Sequence, residues 1–150
     1  MNIESIMTRD VASCGPDDTL ARAAQLMWER DCGFVPIVSE HGFVVGIVTD
    51  RDACMAAFTK ARRLDEILTR DVMSSPVESV TTTESIEATE AKMRRYRIRR
   101  IPVVDAEGKL RGVISLNDIV RHVEAERDDG LGPEALAVTL AQISEPRILA

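Results

Sequence analysis

Gly112-Val113-Ile114-Ser115-Leu116-Asn117-Asp118, and before it Gly46-Ile47-Val48-Thr49-Asp50-Arg51-Asp52, decide how this chain is read. Each stretch closes an apolar β-branched run, turns at Gly-x-x-[Ser/Thr], and sets an Asp three residues after the hydroxyl. The two lie 66 positions apart, 112 − 46 = 66. A shift of 66 also aligns Ile6-Met7-Thr8 with Val72-Met73-Ser74, and Val35-Pro36-Ile37-Val38 with Ile101-Pro102-Val103-Val104, without a gap. Agreement at that many marked positions is the signature of a tandem duplication.

Working outward from the motif, each copy reads as β-α-β-β-α. An amphipathic lead-in (Ile3 to Met7; Leu64 to Met73) precedes a brief extended piece, Val11 to Cys14 or Val77 to Thr81. Asp17-Asp18-Thr19 and Thr83 offer N-caps for the next helix. Leu20, Ala23, Ala24 and Met27 follow the helical period of a buried face. In the second copy Ile86, Met93 and Tyr96 keep it, while Thr89 and Glu90 weaken it. Two β-branched runs follow, Val35 to Ser39 with Phe43 to Val48, and Ile101 to Asp105 with Leu110 to Ile114. Gly42 and Gly108 mark their hairpin turns. The closing helices, Arg51 to Thr59 and Asn117 to Glu126, carry Cys54, Met55 and Phe58, and Ile119, Val120 and Val123.

The fold class is α+β, with repeats over 1–62 and 63–127 and a helical tail over 128–150 that has no first-half counterpart. One copy has a one-sided sheet and too little core to stand alone. Two copies packed sheet to sheet as a pseudo-symmetric pair would bury both faces. The tail's apolar side, Leu136, Leu140 and Ile143, needs a docking surface.

Composition narrows the function. Net charge is −6, which argues against nucleic-acid binding by the whole surface. The run from Phe43 to Val48 is far short of the roughly 20 apolar residues a membrane helix needs. No signal-peptide core opens the chain, so a cytoplasmic protein is expected. Cys14, Cys32 and Cys54 lack metal-ligand spacing and read as buried free thiols. His41 and His122 have no partner pattern, so no catalytic constellation forms and an enzyme is not expected. Trp28 reads either as partly buried or as an anchor of a helix-mediated dimer face.

The order of lead-in, strand, helix, Pro-bearing hairpin, Gly-x-x-[Ser/Thr]-x-x-Asp and helix, given twice over roughly residues 1–124, resembles a pair of cystathionine-β-synthase (CBS) domains. The resemblance implies two ligand clefts for adenosine-containing molecules such as AMP, ADP, ATP or S-adenosylmethionine. It also implies a homodimer associating through helices. No cofactor is implied beyond the adenine nucleotide as regulatory ligand. In the resemblance the Asp holds the ribose, the Ser or Thr lies near phosphate, and strand residues hold the adenine. One cleft then pairs Thr49 and Asp52 with Val77, Ile98, Arg99 and Arg100. The other pairs Ser115 and Asp118 with Val11, Cys32, Gly33 and Phe34.

Two readings of the motif stand side by side. Thr49-x-x-Asp52 and Ser115-x-x-Asp118 fit a capping box, which satisfies orphan N–H groups at about 1 kcal/mol per cap. The same helix N-terminus suits phosphate, and its carboxylate suits the vicinal hydroxyls of a ribose. The halves differ: Arg97-Ile98-Arg99-Arg100 stands where Asp31-Cys32-Gly33-Phe34 stands in the first copy. A phosphorylated ligand is therefore expected with Asp52, while the Asp118 cleft is expected to be weaker, empty, or suited to a less charged nucleoside such as S-adenosylmethionine. Lys92, Arg94 and Arg95 read as solvated cations at a helix C-terminus. The expected protein is a stand-alone regulatory module signalling to an unknown partner. A structural scaffold whose motifs serve only as caps is the alternative, and a nucleic-acid-associated regulator using the Arg run is the third, with Tyr96 as its single stacking residue.

Overall fold

The computed structural model describes residues 2–125 and 133–144. Parts of the expected tail, 128–132 and 145–150, lie outside the described residues, as does the side chain of Leu136. The described residues form α1 (Leu20–Glu29), β1 (Phe34–Val38), β2 (Val44–Thr49), α2 (Asp50–Lys60), β3 (Val80–Thr81), α3 (Ile86–Tyr96), β4 (Arg100–Val104), β5 (Leu110–Ser115), α4 (Leu116–Ala125) and α5 (Pro133–Ile143). Helices and small sheets alternate as a mixed α+β fold. Antiparallel β1–β2 makes one sheet, and the other has the order β3-β4-β5.

Two compact units emerge, and they cross the sequence repeats. The first holds residues 1–9, 79–103 and 111–150; the second holds 10–78 and 104–110. Each lead-in therefore packs with the other repeat's core. Inside the first unit Thr8 bridges Val113 through two backbone hydrogen bonds of 2.9 Å. Inside the second, Ser74 bridges Ile47 at 2.9 and 3.2 Å. Ile3 and Met7 join a core of Val80, Ile86, Met93, Ile101, Val103, Ile114, Leu116 and Ile119. Ile67 joins Leu20, Ala23, Met27, Val35, Ile37, Val48, Ala53 and Ala56.

This exchange corrects the reading of the motif glycines as turns. Gly46 and Gly112 lie inside β2 and β5, both buried. A Cβ at Gly112 would sit 2.6 Å from the Thr8 carbonyl oxygen, so the missing side chain makes room for the crossing lead-in. The true turn glycines are Gly42 and Gly108, with φ of 91° and 86°.

Other expectations shift for local reasons. Val11 to Cys14 is no strand; only Cys14 bridges β1, donating to the Pro36 carbonyl at 3.1 Å and accepting from Val38 at 2.8 Å. Pro16 has no N–H, and Asp18 Oδ2 claims the Gly15 N–H at 2.7 Å, so extension stops there. The α3 cap is Ser85 rather than Thr83: its hydroxyl accepts from Ala88 N at 3.2 Å, whereas the Thr83 hydroxyl lies 3.3 Å from that of Thr81. Thr89 and Glu90, read as weakening α3's apolar face, are buried on it. The Thr89 hydroxyl donates to the Ser85 carbonyl at 2.9 Å, and Glu90 accepts from the Thr139 hydroxyl of α5 and pairs with Arg94 at 3.8 Å. In this way α5 docks on α3 of its own unit, with Ile143 against the core while Leu140 is 46% exposed.

α2 turns Cys54, expected to be a buried thiol, to the outside. It buries Ala53 and Ala56, and leaves Cys54, Met55 and Phe58 exposed. Two small residues let the helix sit close to its sheet, and the bulky ones at other angles face out. Tyr96 is exposed too, with Arg95 over its ring at 5.4 Å. Trp28, at 89% exposure, is not partly buried.

Candidate functional site

Each repeat presents the same construction: a strand that runs straight into a helix, with a hydroxyl at the junction. In the second unit Thr49 caps α2, accepting from Asp52 N at 3.1 Å, while Asp52 Oδ2 accepts from Thr49 N at 2.9 Å. In the first unit Ser115 N donates to Asp118 Oδ2 at 2.8 Å, Asp118 N donates to Ser115 Oγ at 3.2 Å, and Ser115 Oγ donates to Asp118 Oδ2 at 2.6 Å. The capping box is real in both copies. It uses one oxygen of each carboxylate and stands at the positive dipole end of its helix. Capping and anion binding thus share one geometry.

The strand entering each hairpin sits beside this helix start within its own unit. Asp50 N donates to the Gly33 carbonyl at 3.2 Å, and at the matching place Leu116 N donates to the Arg99 carbonyl at 2.9 Å. Ile98, Arg99 and Arg100 are therefore brought beside Ser115 and Asp118, while Cys32, Gly33 and Phe34 are brought beside Thr49 and Asp52. Within its own unit the backbone thus sets the arginines beside the Asp118 motif, a neighbourhood that the expected pairing with the Asp52 motif did not include. The cause is backbone pairing, which residue types do not disclose. Arg99 is exposed, and Ile98 and Arg100 are half-buried, as are Val11 and Val77.

The helical ends that aim these segments are alike. Asp31 and Arg97, 66 apart, both take left-handed conformations, φ 50° and 53°. Cys32 N then donates to the Met27 carbonyl at 2.9 Å and Ile98 N to the Met93 carbonyl at 3.0 Å, turning the chain from helix into strand.

Of the rest of the basic run, Lys92 is tied to the protein rather than simply solvated. Lys92 donates to the Ser79 carbonyl at 2.9 Å and pairs with Glu84 at 3.2 Å. Among the candidate residues Cys32 also lines an open groove of about 510 Å³ between α1 and α2, together with Met27, Trp28, Asp50, Cys54 and Leu64. Of the thiols, only Cys14 is fully buried; burial, with Asp18 adding to it, pushes its pKa up to about 11.

One contact escaped the sequence reading: Arg121 Nη2 donates to Asp118 Oδ1. The Asp-x-x-Arg spacing was visible, since residues three apart share a helix face. Among the described residues no group of three His, Cys, Asp or Glu side chains is arranged to hold a metal ion, and no helix is long and apolar enough to cross a membrane.

A family profile for the CBS domain matches residues 3–58 and again 69–125. This chain belongs to the CBS domain family. Among its relatives, uncharacterized protein MK0525 of Methanopyrus kandleri is 36% identical over 81% of this chain and 62% of its own length. CBS domain-containing protein YhcV of Bacillus subtilis is 32% identical over 79% of this chain and 82% of its own length. The chain spans only 24% of a homoserine O-acetyltransferase of Methanococcoides burtonii, so that match covers a small part of the enzyme. Among solved structures, CBS domain protein PAE2072 from Pyrobaculum aerophilum, complexed with AMP, has a TM-score of 0.73 at 25% identity, over 84% of this chain and 97% of that one. The CBS domain pair of MJ0100, in complex with 5-methylthioadenosine and S-adenosyl-L-methionine, has a TM-score of 0.73 at 25% identity, over 84% and 98%.

Proposed function

We propose that this CBS pair is a regulatory module that binds adenosine-containing ligands and passes their occupancy to a partner protein. The observation that carries the reading is the Leu116–Arg99 hydrogen bond, which sets an arginine-rich strand entry against a helix N-terminus bearing Ser115 and Asp118. That neighbourhood combines an anion site with a diol acceptor. Arg99, Arg100 and Ser115 then take the phosphate, Asp118 the ribose, and Ile98 an apolar edge of the ligand. Thr49 and Asp52, beside the neutral Cys32 and Gly33, suit a less charged nucleoside such as S-adenosylmethionine. This reverses the expected asymmetry. Val11 and Val77 remain the adenine contacts that the family resemblance implies. The AMP-bound and S-adenosylmethionine-bound relatives support both ligand classes.

The module acts without catalysis, in the cytoplasm, on an unidentified regulated protein. Its repeats are 1–62 and 63–127, with 128–150 an appended tail. A ligand moves such a module only by binding one arrangement more tightly than another. Trp28, Phe58 and Met55, at 89%, 78% and 44% exposure, support homodimerisation through α1 and α2.

Calorimetric titration of ATP, AMP and adenosine tests the reading on the wild type, Arg99→Ala, Asp52→Ala and Asp118→Ala. Loss of AMP and ATP binding in Arg99→Ala and Asp118→Ala is expected. Heat-silent titrations with every ligand would leave the scaffold reading, in which the two capping boxes account for all four motif residues. A thermal-shift screen supplies the same decision, because a ligand at 100 times its Kd adds about 2.7 kcal/mol of stability.

A further inference from the structure

The two motif carboxylates, equal in sequence position, are not equally available. Asp118 Oδ2 already accepts from Ser115 N and Ser115 Oγ, at 2.8 and 2.6 Å. Its other oxygen, Oδ1, accepts from Arg121 Nη2, one helical turn further along α4. The Asp118 side chain is 10% exposed, so little of the carboxylate remains for an incoming group, while the Arg121 side chain is 74% exposed and free to leave. At Asp52, among the described residues, only Oδ2 is engaged in this way, by Thr49 N at 2.9 Å. The residue 66 positions before Arg121 is Met55, which has no charge to offer.

A vicinal diol needs acceptors for its two O–H groups, and the outer oxygen of the carboxylate is the one it would use. We propose that Arg121 is a built-in competitor for the ribose at Asp118, and that it lowers ligand affinity at this motif and not at Asp52. The inference rests on the reading of Asp118 as a ribose acceptor. A guanidinium on a helix surface exchanges freely with solvent, so it tunes the site rather than closing it. An ion pair with one exposed partner contributes little, and displacing it changes affinity about two- to fivefold.

The test is calorimetric titration of AMP into the full chain carrying Asp52→Ala, which leaves the Asp118 motif as the site under study. Adding Arg121→Met is expected to tighten AMP binding about two- to fivefold, and Arg121→Lys to leave affinity near that of the parent. Raised salt should narrow the gap between parent and Arg121→Met, since it screens the competing pair and a purely structural residue has no such dependence. Unchanged or weaker binding in Arg121→Met overturns the proposal, weaker binding marking Arg121 as a ligand contact instead. Adding Asp118→Ala separates the two readings. If it abolishes AMP binding while Arg121→Met has no effect, Asp118 remains the ribose acceptor and only the competitor role falls. If AMP binds as well in Asp118→Ala as in the parent, the ribose assignment falls and the competitor with it.

Discussion

Met73 lies across Gly46: a Cβ on Gly46 would meet Met73 Cγ at 2.7 Å. The second copy repeats the arrangement with a harder obstacle, because Gly112 faces the Thr8 carbonyl oxygen at 2.6 Å as well as Met7. The outer atoms of Met73 can swing aside while its Cβ, 2.9 Å away, moves only with its backbone; the Thr8 oxygen is itself backbone and yields least. Gly46→Ala is therefore expected to cost about 1 kcal/mol and Gly112→Ala about 2–3 kcal/mol, by overpacking at the lead-in crossing. Urea unfolding midpoints would show the order; equal losses would contradict the difference in obstacle.

The caps can be separated from ligand binding by a conservative change. Asp52→Asn and Asp118→Asn keep an oxygen for the N–H of Thr49 or Ser115, so each should lose less than about 1 kcal/mol of stability. Thr49→Ala and Ser115→Ala remove the acceptor for the Asp52 or Asp118 N–H and should lose about 1 kcal/mol each. Thermal denaturation without ligand measures this directly.

Left-handed φ at Asp31 and Arg97 strains residues that carry a Cβ. Asp31→Gly should raise stability by about 0.5–1 kcal/mol, since glycine takes the αL position without that penalty. A lower melting temperature would mean that the Asp31 side chain contributes more than the strain it imposes.

The thiols should react in order of exposure: Cys54 rapidly with an aromatic disulfide reagent, Cys32 slowly, and Cys14 only on unfolding. Burial raises the Cys14 pKa from 9.0 to about 11, so between those values the folded state holds a proton that the unfolded state has lost. Stability is thus full below about pH 9 and falls as pH rises toward 11, by on the order of 2 kcal/mol from this group. The slope of stability against pH over that window should be shallower in Cys14→Ala.

Glu90 is a buried carboxylate that accepts from the Thr139 hydroxyl. Thr139→Val should cost about 1–3 kcal/mol by taking a hydrogen-bond donor from a desolvated acid. Glu90→Leu together with Thr139→Val should recover part of that loss, because the desolvated acid without its donor is then gone, less what the Arg94 ion pair contributed. Chemical denaturation of the two single variants and the double closes this cycle.

The duplication, the α+β class, the hairpins and the two capping boxes were legible along the chain, because each is encoded over short distances. A 66-residue shift exposes the repeat, alternating β-branched residues expose strands, and Ser/Thr-x-x-Asp exposes a helix start. Ser85 in place of Thr83, and the Ala53–Ala56 face with Cys54 outside it, were harder, since propensity leaves the register of a short helix open by a residue or two.

Tertiary structure alone decided the rest. Thr8 meets Val113 across 105 positions, 113 − 8, and Ser74 meets Ile47 in the reciprocal place. Those pairings turn the motif glycines from turns into clearance for a crossing chain. The Leu116–Arg99 bond is likewise a backbone event that gathers the arginines beside Asp118. The burial of Glu90 depends on α5, which begins 43 residues later, at Pro133. Sequence determined what each segment would be, because local hydrogen bonding and hydrophobic period act within a few residues. Which segments became neighbours depended on pairings such as Thr8 with Val113 and Ser74 with Ile47, whose partners lie far apart along the chain and meet only once it folds.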